Sequence, residues 1–148
     1  MSLAKLAQTR RLKLMITIPE IHSLVDFGMC VVLWLVQLVI YPSFLRVKTS
    51  ELLAWHKAYT FRVSFVILPL MLGQLVMATL SVLEDPSIPE WLAFAFVLVC
   101  WILTFFVSVP LHRKIEQNDM TRETRQKLIM TNWPRTILWS VIFGLGLF

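Results

Sequence analysis

Four long apolar stretches fill most of the chain, and the polar residues that interrupt them gather at one end of each. The clearest stretch, Trp91 to Leu111, carries no charge at all. As a helix rising 1.5 Å per residue it is long enough to cross a hydrocarbon core of about 30 Å. The first stretch is centred on Phe27 to Ile40, the second on Val63 to Leu83, and the last begins near Leu128. The predicted spans are 21–45, 58–83, 90–112 and 129–148. Together they define one domain and one fold class, an all-α polytopic membrane protein built as an antiparallel four-helix transmembrane bundle.

Punctuation supports these limits. Pro42 ends or kinks the first helix. Ser50 is placed to cap the second, with Glu51 at the positive end of its dipole. Pro69 is expected to bend that helix. The link from Glu84 to Glu90 carries acidic charge only, and Pro89 suits a first helical turn. A polar segment, 115–127, joins spans three and four, with Glu123 and Lys127 one turn apart. Pro134 is expected to interrupt the fourth span, and Gly144 and Gly146 loosen its end.

Composition agrees with the pattern. Apolar residues make up 57% of the chain and charged residues 16%, where a soluble domain has about a quarter charged. The net charge of +5 comes from basic residues that flank apolar spans. It therefore points to membrane topology and anionic headgroups rather than to nucleic acid. Cys30 and Cys100 lie inside apolar spans and form neither a disulfide framework nor a metal pattern. The basic N-terminal segment lacks the apolar core and cleavage site of a signal peptide. Its Leu3, Leu6, Ala7, Leu12 and Leu14 interleave with Lys5, Arg10, Arg11 and Lys13, as in a short interfacial helix or a basic tail.

Alternating spans put the 1–2 and 3–4 connections on one face. That face holds ten basic residues, against four in the N-terminal tail. The positive-inside rule assigns it to the cytoplasm, across the inner (plasma) membrane, with both termini outside.

The same alternation gathers four helix ends. They carry Gln37 and Tyr41; His56, Tyr59 and Arg62; His112 and Arg113; and Asn132, Trp133 and Arg135. Each set is spaced to present a polar stripe to the bundle interior. The stripes predict a polar pocket near headgroup depth above an apolar bundle, which suits an amphiphile. His56, His112 and Tyr59 are the candidate acid–base groups. Gln37, Tyr41, Arg62, Asn132, Trp133 and Arg135 are the candidate ligand-binding groups. The alternative for the Trp, Tyr and Arg residues is interfacial anchoring without chemistry. At the opposite end, Asp26 is the one carboxylate well inside the apolar pattern, one turn from His22. Gln74 is expected to make an interhelical hydrogen bond.

Other chemistry finds no support. Zinc spacing, a phosphate loop, a nucleophile elbow and a di-iron carboxylate pattern are all missing. A haem between His56 and His112 fits poorly with their shallow position. No metal or cofactor is therefore expected.

Three segments carry a resemblance. They are Gln37-Leu-Val-Ile-Tyr41-Pro-Ser-Phe44, then His56-Lys-Ala-Tyr59, and then Val109-Pro-Leu-His112 followed by Thr131-Asn-Trp-Pro-Arg-Thr-Ile-Leu-Trp139-Ser140. Over nearly its whole length the chain resembles small bacterial four-helix membrane proteins with no settled function. Its second half is more distantly similar to anthrone-oxygenase-like membrane proteins, which have an Asn/Trp/Arg cluster entering their last span. That likeness implies oxygenation of a lipophilic polyphenol without metal or flavin. The chain departs from it at His112, where those proteins have an Asn-rich segment.

Two functions follow as expectations. One is an enzyme acting on a small lipophilic molecule. The other is a non-catalytic lipid, quinone or pigment binder, or a small accessory subunit of a membrane complex. Expected partners are membrane lipids and a lipophilic small molecule, with a homo-oligomer or a larger complex as further options.

Overall fold

The computed structural model of the protein describes residues 17–147. The N-terminal segment read as an interfacial helix or a basic tail lies outside the described residues, as does Phe148. The described residues form four helices and no strand: α1 (Ile18–Ser43), α2 (Thr49–Glu84), α3 (Ile88–Glu116) and α4 (Arg122–Leu145). The first three are long and apolar enough to cross a membrane. The fourth does not meet that standard: charged residues fill its first turns, and Asn132, Pro134 and Arg135 lower the hydropathy of the stretch that follows.

The helix starts follow from local chemistry. Thr17 and Glu20 form a reciprocal cap on α1, with Glu20 Oε2 accepting from the Thr17 amide at 2.7 Å and Thr17 Oγ1 accepting from the Glu20 amide at 3.4 Å. Thr121 Oγ1 accepts from the Thr124 amide at 3.3 Å and starts α4. The expected cap of α2 differs. Lys48 occupies the cap position with no side-chain bond, and Ser50 already lies inside the first turn. Proline is less disruptive than its reputation. Pro69 and Pro134 both sit inside continuous helices, so Pro134 does not interrupt α4.

Instead, the helical register changes in two other places. Val36–Ile40 in α1 and Thr104–Ser108 in α3 each form a wider π-type turn. Each comes just before a proline, Pro42 or Pro110. A proline lacks an amide donor, and its ring crowds the carbonyl four residues back. A π turn inserts one residue and relieves that conflict, while re-aiming the side chains that follow. Those side chains include Tyr41 and His112.

Helix α1 packs against α2 and α4, and α3 packs against the same two. The α1–α2 contact is close: Gly73 of α2 lies under the Val25 side chain of α1, and Gly28 of α1 lies under Leu70 of α2. One part of the core consists of Met29, Leu33, Met71, Ala78, Val97, Cys100, Trp139 and Ile142. A second part, nearer the ends of α1 and α3, consists of Val36, Tyr41, Phe44, Leu52, Ile115 and Leu128. The outer surface is apolar as well. Phe27, Leu38, Phe61, Phe65, Leu72, Val76, Ile102, Phe106 and Ile137 are all more than half exposed. An apolar coat of this extent would be a liability in water and is ordinary against lipid.

Candidate functional site

The π turn of α3 is also where α2 and α3 part. Helix α2 approaches the segments of α3 on either side of Thr104–Ser108, while that turn itself packs against α4. The gap is a cavity of about 410 Å³, within the usual range for small-molecule sites. Its walls are Val63, Ile67, Leu68, Met71 and Phe105; its polar lining includes Tyr41, Ser108, His112 and Arg135. Exposed Leu68 and Phe105 flank it, so the groove opens sideways along the apolar surface.

Behind the groove lie two polar chains. In the first, Arg135 Nη1 donates to Ser108 Oγ at 2.8 Å and to Asn132 Oδ1 at 3.1 Å. Asn132 Nδ2 in turn donates to Gln37 Oε1 at 2.9 Å, and Gln37 Nε2 donates to the Ile129 carbonyl at 3.3 Å. These bonds tie α1, α3 and α4 together and fix the guanidinium. Arg135 is only 3% exposed, and its Nε has no partner. Among the described residues no carboxylate forms an ion pair with it. An arginine cannot shed its charge, and an uncompensated buried charge is costly. Arg135 is therefore a cation with an open claim on an anion.

The second chain is a line of rings. His56 Nε2 lies 2.8 Å from His112 Nδ1. His112 Nε2 lies 2.9 Å from the Tyr41 hydroxyl. At the other end, His56 Nδ1 faces Glu116 Oε1 at 3.8 Å, and the Glu116 side chain is 38% exposed. Thr60 Oγ1 also donates to Glu116 Oε1, at 3.4 Å. Phe44, fully buried, holds the rings: it packs on Tyr41, Trp55, His56 and Tyr59 with centroids 5.0 to 5.6 Å away.

Tyr41, His56, His112, Gln37, Asn132 and Arg135, singled out in the sequence, thus come together. Tyr41, Tyr59, His112 and Arg135 line the groove, while Gln37, His56 and Asn132 are fully buried behind it. Two candidates fall outside. Arg62 is exposed and borders a separate shallow pocket with Ile40, Trp55 and Tyr59. Its spacing of six residues from His56 turns it about 120° around the helix, because two three-residue steps each fall short of a full turn. Trp133 instead sits edge-on to Trp34, centroids 6.0 Å apart. Sequence reading missed Ser108 and Glu116. A signal existed for the second, since Glu116 is four residues beyond His112 on one helix.

The third polar cluster lies at the far end. Buried Asp26 accepts from Gln74 Nε2 at 2.6 Å and faces His22 Nε2 at 3.4 Å, and His22 Nδ1 lies 3.3 Å from Ser81 Oγ. A cavity of about 220 Å³ adjoins them. The expected interhelical bond of Gln74 thus ends on the expected membrane carboxylate. Among the described residues no group of His, Cys, Asp and Glu could hold a metal ion.

The fold and site define a helical protein with three helices long and apolar enough to cross a membrane and a laterally open groove with a polar base. Comparison with protein families, curated proteins and solved structures gives no match in any of the three.

Proposed function

We propose that the protein is a multi-pass protein of the inner membrane that binds a small lipophilic molecule with a polar head. The observation that carries this reading is the groove between α2 and α3. It joins an apolar, laterally open body to a base of Tyr41, Ser108, His112 and Arg135. A head that accepts hydrogen bonds would meet Arg135, and the apolar part would lie along Val63, Ile67, Leu68 and Phe105. His112 lines the groove and would exchange a proton with such a head directly or through Tyr41, and Tyr59 forms part of the wall.

In this reading the four helices run antiparallel and α4 crosses the membrane with the others. Contacts between helix ends support it. His22 near the start of α1 meets Ser81 near the end of α2. Tyr41 near the end of α1 meets His112 near the end of α3, and His112 meets His56 near the start of α2. Arg125 in the first turn of α4 donates to the Phe44 carbonyl beyond α1 at 3.0 Å. Burial of Arg135 also removes the main obstacle to a membrane position for α4. The charge count assigns the groove end to the cytoplasm. Kinship with the small bacterial four-helix membrane proteins belongs to the same proposal.

The test is native mass spectrometry of gently purified protein. A copurifying hydrophobic molecule is expected, and Arg135→Met should lose it while still inserting. Protein that carries only bulk lipid, unchanged by Arg135→Met, would refute the reading.

A further inference from the structure

The ring chain has a direction, and the direction follows from its end. A neutral imidazole carries one N–H and offers one acceptor. An ionised Glu116 can only accept, so the proton on His56 belongs on Nδ1, facing Glu116 Oε1. His56 Nε2 is then an acceptor, and the 2.8 Å contact requires His112 to donate from Nδ1. His112 Nε2 is in turn an acceptor, so the Tyr41 hydroxyl donates to it across 2.9 Å. The Tyr41 oxygen, with the Arg135 guanidinium beside it, keeps a lone pair for a further donor, and Tyr41 lines the groove. Of the two assignments that satisfy both hydrogen bonds, this one also turns the His56 N–H toward Glu116.

The groove base thus offers two unlike groups, a cation at Arg135 and an acceptor at Tyr41. A carboxylic acid matches both: its carbonyl oxygen accepts from Arg135 and its O–H donates to Tyr41. The apolar walls and the lateral opening suit a single acyl chain. We propose that the groove takes a single-chain carboxylic acid, and that Tyr41, His112, His56 and Glu116 carry its proton to the aqueous edge. The proposal rests on the groove reading given above. In each passage the acid O–H proton moves to the Tyr41 oxygen as the tyrosine proton moves to His112 Nε2. The His112 Nδ1 proton moves to His56 Nε2, and the His56 Nδ1 proton moves to Glu116 and on to water. The ligand remains as a carboxylate paired with Arg135. Both imidazoles end with their proton on Nε2, and release of the acid runs the chain backwards and restores them.

The groups that face the relay come from all four helices: Tyr41 from α1, Tyr59 from α2, Arg113 and Glu116 from α3, and Arg135 from α4. The 3.8 Å gap at Glu116 is within reach of a rotation of that partly exposed side chain. His56 Nδ1 is buried with no hydrogen-bond partner among the described residues, and Glu116 is the acceptor that faces it.

The relay and the ligand are tested separately on the full chain in nanodiscs. Nitrogen-15 NMR of histidine-labelled protein reads which ring nitrogen holds the proton. Without ligand, His56 and His112 should both be protonated on Nδ1, the less common tautomer of free imidazole. Glu116→Ala should return His56 to a mixture. A proton on Nε2 of either ring in the unmodified, ligand-free protein overturns the relay. Oleic acid labelled with carbon-13 at the carboxyl is the ligand probe. Saturable binding as the carboxylate is expected, weakened at least about tenfold in Arg135→Met, as for loss of a hydrogen bond to a charged group. Bound oleate should move both imidazole protons to Nε2. Saturable oleate binding with unchanged tautomers sinks the relay and leaves the groove reading standing. Failure of the unmodified protein to bind oleate overturns the carboxylic acid assignment, and the copurifying molecule then decides the groove reading by itself.

Discussion

His56 Nε2 and His112 Nδ1 lie 2.8 Å apart, although 56 residues separate them in sequence. The contact links the start of α2 to the end of α3 and joins a buried ring to one that lines a groove. The two histidines are therefore not equivalent, and their replacements should differ. His112→Ala should abolish retention of the lipophilic molecule at a smaller loss of stability than His56→Ala: it strands the buried His56 imidazole and the Tyr41 hydroxyl, but it opens onto the groove and leaves no closed cavity. His56 is fully buried against Phe44. His56→Ala should cost about 2–4 kcal/mol from the cavity and the broken bond. Thermal unfolding in detergent separates the two outcomes. Equal destabilisation by both changes would place His112 in the core instead.

Arg135→Lys should behave as a loss of function rather than a conservative change. Arg135 Nη1 bridges Ser108 and Asn132 at once, and the rest of the fork is left for the groove. A lysine keeps the charge without the planar fork. Ligand retention should fall about tenfold or more, the scale of one charge-assisted hydrogen bond. Full retention in Arg135→Lys would mean that positive charge alone suffices there.

Much of this site was legible in the sequence, and the reasons are geometric. Long apolar helices joined by short links are expected to bring alternate ends together, and the structure does bring Tyr41, His56, His112 and Arg135 into one place. The groove was not legible, because it depends on the π turn at Thr104–Ser108, which no apolar periodicity reveals. Proline at 110 hinted at a distortion but not at its type. Arg62 failed for the opposite reason. Its spacing looked regular, yet a three-residue step drifts around a helix of 3.6 residues per turn. Proline at 134 was overread, since a helix among tightly packed neighbours can carry one without breaking.

Asp26→Leu tests the far cluster. The change removes the acceptor of Gln74 Nε2 and the partner of His22, and Gln74 Oε1 already has no partner. Leaving the Gln74 amide buried with nothing to bond should cost about 1–3 kcal/mol. Changing Gln74 to Leu as well should recover part of that loss, because it deletes the stranded amide. A double variant no more stable than Asp26→Leu would show that the carboxylate matters for another reason. Groove binding, at the other end, should be unaffected by either change.

Topology is open to chemical labelling. Gln117 is exposed in the α3–α4 connection, and the native cysteines are half-buried or buried. With Cys30 and Cys100 replaced by alanine, Gln117→Cys should resist a membrane-impermeant thiol reagent in intact cells and react after lysis. Rapid labelling of intact cells would put the groove end outside and invert the charge argument.

The α3–α4 connection should also carry a pH-sensitive cap. Helix α3 ends in a reverse turn in which the Asp119 amide donates to the Lys114 carbonyl at 2.9 Å and the Asn118 amide donates to the Ile115 carbonyl at 3.1 Å. Asn118 takes the left-handed conformation at φ 75°, which asparagine tolerates better than most residues. Asp119 then accepts from the Thr121 and Thr124 hydroxyls, each at 2.9 Å. Those bonds, that from Thr124 first, hold its carboxyl below the usual carboxylate range. A carboxyl that ionises more readily in the folded state stabilises the fold above its unfolded pKa of about 3.9, and that stabilisation is lost as pH falls through the folded value. The cap should therefore be intact at neutral pH and open only in acid below that range. Amide hydrogen exchange at Thr124 and Arg125, corrected for intrinsic rates, should speed up there. Asp119→Ala should show the faster exchange at every pH and lose the dependence. An unchanged acid profile in Asp119→Ala would assign the transition to another group.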